Sequence, residues 1–70
     1  MRVQIVIADA ADLIRLGMVS VLEKQTHYHV EASVNTLTDL LTVIKSKPQI
    51  VIVDERLDPA TDILQILEHI

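Results

Sequence analysis

The stretch Pro48-Gln49-Ile50-Val51-Ile52-Val53-Asp54 holds the most apolar run of the chain and ends on a carboxylate. Four consecutive β-branched residues, too few for a helix and flanked by proline and aspartate, suit a strand covered on both faces. The start of the chain repeats the design. Val3, Ile5, Val6 and Ile7 make Arg2 to Ala8 a nearly continuous apolar strand, and Asp9 ends it. Strands of this kind belong to parallel sheets, whose successive members must be joined by crossovers.

The segments between them supply the crossovers. Asp12 reads as the N-cap of a helix running to about Gln25, with Leu13, Ile14, Leu16, Met18, Val21 and Leu22 as a broad apolar face. Arg15, Glu23 and Lys24 read as its solvated side. After His27-Tyr28-His29, the apolar residues Val30, Ala32 and Val34 alternate with Glu31 and Ser33, the pattern of an edge strand with one face more exposed. Asn35 or Thr36 then caps a second helix, in which Leu37, Leu40, Leu41 and Ile44 fall on one side. Pro48 ends it, because a residue before proline is steered away from the helical region. A third helix is expected from near Asp62, with Ile63, Ile66, Leu67 and Ile70 as its apolar positions. The order is βαβαβα, one α/β domain over residues 1–70. If the two strands ending at Asp9 and Asp54 lie side by side, the strand order is 2-1-3 and both carboxylates reach the crevice where such sheets bind ligands.

Composition narrows the function. Half of the 70 residues are apolar, too many for a disordered chain, yet no run is long enough to span a bilayer. A net charge of −4, a single tyrosine and no Phe or Trp argue against direct nucleic-acid binding. The absence of cysteine removes disulfides and thiolate metal sites. The N-terminus has neither the basic region nor the apolar core of a signal peptide. These features lead us to expect a cytoplasmic protein without membrane contact.

The segments Val3-Gln4-Ile5-Val6-Ile7-Ala8-Asp9, Arg15-Leu16-Gly17-Met18, Glu31-Ala32-Ser33, Pro48 to Asp54 and Arg56-Leu57 together resemble the receiver domains of response regulators that carry a C-terminal helix-turn-helix. The resemblance covers the whole chain but only the first three of the five βα units of a receiver. It implies a flavodoxin-like, doubly wound parallel sheet of which this chain forms part. It also implies a two-component phosphoacceptor rather than an enzyme, served by a sensor histidine kinase and controlling an output domain, DNA-binding in that family, absent from this chain. By the same resemblance Asp54 is the phosphorylated residue, and Mg²⁺ is held by Asp9, Asp54 and the backbone carbonyl of Arg56.

The chain departs from the family in places that matter. A second acidic residue usually follows the first strand, and here Ala10 stands beside Asp9. Asp58 intervenes between Leu57 and Pro59, and Ile63 occupies a position where the family has glycine. The family's hydroxyl and lysine switch residues fall beyond Ile70. A pseudo-receiver, an interaction and dimerisation module without the phosphorylation chemistry, is therefore the alternative reading. On a blander view Asp54 is a solvated strand-end carboxylate and Asp9 a loop carboxylate favouring a helix N-terminus. Asp58 and Asp62 read as turn and cap residues, and His27, His29 and His69 as surface histidines. Strand three would leave an open edge beside the apolar side of helix three, so pairing through these two elements is expected, either with the missing half of the receiver or with a second copy as a homodimer.

Overall fold

The computed structural model describes residues 2–68, with Ile63 described by its backbone alone. Three strands, β1 (Val3–Ala8), β2 (Tyr28–Val34) and β3 (Ile50–Val53), form one parallel sheet in the order β2-β1-β3. Its helices are α1 (Asp12–Glu23), α2 (Leu37–Val43) and α3 (Ile63–Glu68), and a 3-10 turn (Ile44–Ser46) continues α2. The chain is thus an α/β protein with the expected strand order. No helix among the described residues is long and apolar enough to cross a membrane.

The central strand takes the deepest burial. Ile5, Val6, Ile7 and Ala8 are all essentially inaccessible, so both faces of β1 are covered, as its unbroken apolar sequence requires. Side chains alternate along a strand, and the two faces therefore have different partners. Val6 and Ala8 join Leu40 of α2, Ile66 of α3 and Leu57 in one cluster, which Ala32, Val34, Val51 and Val53 complete from the flanking strands. On the other face Ile52 lies beside Ile14, Met18, Val21 and Leu22 of α1. Helices therefore cover both sides of the sheet.

The pairing of β1 with β3 is regular from Ile5–Ile50 to Ala8–Val53. Gln49 prolongs it backwards, its amide donating to the Gln4 carbonyl while its side-chain oxygen accepts the Gln4 amide at 2.7 Å. The pairing of β1 with β2 slips by one residue: Ile5 is in register with Val30, but Val6 is in register with Ala32. Glu31 is the extra residue, and it lies exposed on the outer strand.

Local signals explain most of the remaining boundaries. Thr36 caps α2 by accepting the Asp39 amide, satisfying a donor the helix leaves free. Lys47 ends the 3-10 turn in the left-handed region, with φ 57°. Pro48 then prevents further helix. Asp62 caps α3 by accepting the Leu64 amide, and the Gln65 side chain returns a bond to the Asp62 amide, a reciprocal capping box.

Two sequence expectations change. The N-cap of α1 is Ala11, whose carbonyl accepts the Arg15 amide, and Asp12 is instead the first helical residue. Nor is the broad apolar face of α1 all inward. Arg15, Met18, Val19 and Leu22 are the half-buried positions, while Leu13, Ile14, Leu16 and Val21 are exposed. A helix offers one stripe to the layer beneath it, and a three-stranded sheet is too narrow to reach around α1.

Candidate functional site

Hydrogen bonding carries both strand-end aspartates slightly past the sheet proper. The Asp9 amide donates to the Val34 carbonyl of β2, and the Asp54 amide donates to the Ala8 carbonyl of β1, each at 3.0 Å. Because β1 and β3 run parallel in register, the two residues leave the sheet at the same edge, its C-terminal one. Both then use one carboxylate oxygen in the same way. Oδ1 of Asp9 accepts the Ala11 amide at 2.8 Å, and Oδ1 of Asp54 accepts the Arg56 amide at 3.0 Å. Each is an Asx-type turn, in which the side chain ties down the backbone two residues on.

Burial distinguishes them. Asp9 is only 4% exposed, whereas the Asp54 side chain keeps 19% of its surface in solvent. Among the described residues no buried side-chain oxygen or nitrogen lacks a partner. The second Asp9 oxygen, which takes no bond from the protein, therefore reaches solvent. Asp54 also faces the Arg56 guanidinium, with Nε at 3.7 Å, but the Arg56 side chain is 80% exposed. A pair so open to solvent is weak.

Arg15 holds the loop beneath Asp9. Its Nη1 donates to the Asp9 carbonyl at 2.9 Å and lies 2.8 Å from Oδ1 of Asp12. With 12% of its side chain exposed, it is a strap across the β1–α1 connection and not part of a solvated face. The signal for this was present in the sequence as an acid and a base at i, i+3, but that spacing does not say which side of the helix the pair occupies.

The loop after Asp54 has its own anchor. Leu57, 4% exposed, donates its amide to the Asp54 carbonyl and inserts its side chain into the core cluster. Asp58 organises the following turn, accepting the Ala60 amide and the Thr61 hydroxyl. Asp58 and Asp62 are thus the turn and cap residues their surroundings suggest. Ile63 starts α3 with no left-handed backbone, since Lys47 is the only non-glycine residue of positive φ among those described. His27 and His29 are exposed, and His69 lies outside the described residues. Ala10 is exposed next to Asp9.

No group of three or more His, Asp or Glu side chains among the described residues is arranged to hold a metal ion. What the site offers is two carboxylates at one edge of the sheet, each with one oxygen bound to a backbone amide. No protein-family model, curated protein or solved structure matches this chain.

Proposed function

We propose that this chain is the phosphoacceptor part of a flavodoxin-like receiver, in which Asp54 takes a phosphoryl group from the phosphohistidine of a sensor histidine kinase. The observation that carries this reading is the common edge of Asp9 and Asp54 on adjacent parallel strands of a sheet ordered 2-1-3. Ligand crevices of open α/β sheets lie at that edge. Of the two carboxylates, Asp54 is the more accessible, as a nucleophile must be. Its second oxygen would attack phosphorus as the P–N bond to the kinase imidazole breaks, and the departing imidazole nitrogen takes up a proton. The Arg56 amide holds the other oxygen and so orients the carboxylate.

The donor set suits Mg²⁺, which prefers oxygen ligands, keeps several waters and needs only one or two carboxylates. Asp9, Asp54 and the Arg56 carbonyl would hold it, and when bound it neutralises charge on the transferring phosphoryl group. Asp9 is fixed for such a role by its bond to the Ala11 amide and by the Arg15 strap on its own carbonyl. In a larger protein, phosphorylation would act through an output domain such as the DNA-binding one the resemblance implies.

Incubation with acetyl phosphate and Mg²⁺, followed by intact mass, tests this reading. One added phosphoryl group is expected in the unaltered chain and none in Asp54→Asn. A specific observation favours a second reading, the pseudo-receiver: Ala10 is exposed where a further acid would strengthen the site, and no third carboxylate among the described residues gathers there. No mass gain in the unaltered chain, with its fold intact, would decide for that interaction module.

A further inference from the structure

On the receiver reading, the outer edge of β3 and the exposed Leu64 and Leu67 of α3 adjoin the units that follow, and Ile70 lies outside the described residues. The connection between β1 and α1 is described throughout, and it holds a charged side chain that is largely out of solvent.

The connections after β1 and β3 share one plan up to a point. Each aspartate donates its amide to the neighbouring strand, Asp9 to the Val34 carbonyl and Asp54 to the Ala8 carbonyl. Each lends Oδ1 to the amide two residues on. The plan divides at the aspartate carbonyl. That of Asp54 accepts the Leu57 amide at 3.0 Å, a bond made by backbone alone. That of Asp9 accepts Nη1 of Arg15 at 2.9 Å. The third tie on Asp9 therefore comes from a side chain of α1, in place of a backbone amide.

Arg15 also closes this loop through its backbone, its amide donating to the Ala11 carbonyl at 2.9 Å. Nη1 carries two hydrogens and has two acceptors, the Asp9 carbonyl and Oδ1 of Asp12 at 2.8 Å. Charge alone does not account for a guanidinium here. Bound to the residue that would hold Mg²⁺, it repels the metal. Asp12 offsets that charge, which leaves geometry as the contribution of Arg15 to the site.

We infer that Arg15 is a positioning residue: it sets Asp9 for the cation through the Asp9 backbone, doing after β1 what the Leu57 amide does after β3. The inference rests on the phosphoacceptor reading, whose metal Asp9 would hold. Its signature is a sign. Removing a positive charge beside a cation site tightens cation binding, whereas removing the support of a ligand weakens it.

Two measurements on the 70-residue chain test the role. The first is titration calorimetry with Mg²⁺. Arg15→Met, neutral and of similar length, should weaken binding about tenfold, the lower end of what outer partners of metal ligands contribute. Gln49→Ala serves as control, since it removes a bond to the Gln4 amide at the opposite edge of the sheet and should leave the affinity unchanged. The second measurement needs no metal. Amide exchange in Arg15→Met should quicken at Ala11, which leans on Asp9, and stay as in the parent at Arg56, which leans on Asp54. Where far-UV circular dichroism shows Arg15→Met unfolded, Arg15→Lys decides. It keeps the charge without the planar fork and should weaken Mg²⁺ about threefold, so unchanged affinity there overturns the role. Tighter or unchanged binding in a folded Arg15→Met overturns the inference alone and leaves the metal site standing. Equal quickening at Ala11 and Arg56, or an equal loss of affinity in Gln49→Ala, reduces Arg15 to general stability and overturns it too. A parent chain that binds no Mg²⁺ removes the metal-assisted reading and the inference together.

Discussion

Replacing Arg15 by alanine removes the strap between the β1–α1 loop and α1, and its cost follows from the contacts. The Asp12 partner is 70% exposed, at i, i+3 on the same helix. Such an ion pair contributes little, about 0.3 kcal/mol. The bond from the guanidinium to the Asp9 carbonyl is charge-assisted and largely shielded. Bonds of that kind contribute about 1.5–3 kcal/mol. Alanine returns a few tenths through its helix propensity, about 0.2 kcal/mol. A net loss of about 2 kcal/mol is expected, or a fall of roughly 2 M in the urea midpoint for a chain whose slope is about 1 kcal/mol/M. Urea unfolding of the parent, Arg15→Ala, Asp12→Ala and the double variant, at one fixed protein concentration, separates the two contacts. Most of the loss should persist in the Asp12→Ala background. Amide exchange at Ala11 should quicken in Arg15→Ala, since the Asp9 turn loses its support. If Arg15→Ala costs no more than Asp12→Ala, the carbonyl bond contributes nothing and Arg15 is only a surface ion-pair partner.

Leu40 is fully buried among residues from the sheet, Leu57 and Ile66. Leu40→Ala should therefore cost about 2–5 kcal/mol in the same unfolding assay. Thr36→Ala should cost about 1 kcal/mol by freeing the Asp39 amide. A Cβ at Gly17 meets nothing within 4 Å. Gly17→Ala should then stabilise the chain by about 0.5–1 kcal/mol as the helix gains propensity, and a loss would show that side of α1 to be closed. Ala10→Asp should tighten Mg²⁺ binding, measured by titration calorimetry, and unchanged affinity would remove Asp9 and its neighbour from the proposed metal site.

The α/β class, the three strands and the order 2-1-3 were legible in the sequence because their signals are local. Unbroken β-branched runs at Val3–Ala8 and Ile50–Val53, alternation over residues 30–34 and the capping residues Thr36 and Asp62 each act within a few positions of themselves. The strand-end positions of Asp9 and Asp54 were equally visible, and parallel pairing then put them at one edge. Everything that depended on which way a helix faces was decided by the tertiary structure. Arg15 turned inward and Leu13, Ile14, Leu16 and Val21 outward, because the apolar positions of α1 run around most of its circumference and only the width of the sheet selects one stripe. Leu57, an isolated apolar residue in a polar loop, became core because the chain after Asp54 bends back over Val6 and Ala8. Periodicity specifies that a helix has a buried side; the partner layer chooses which side it is.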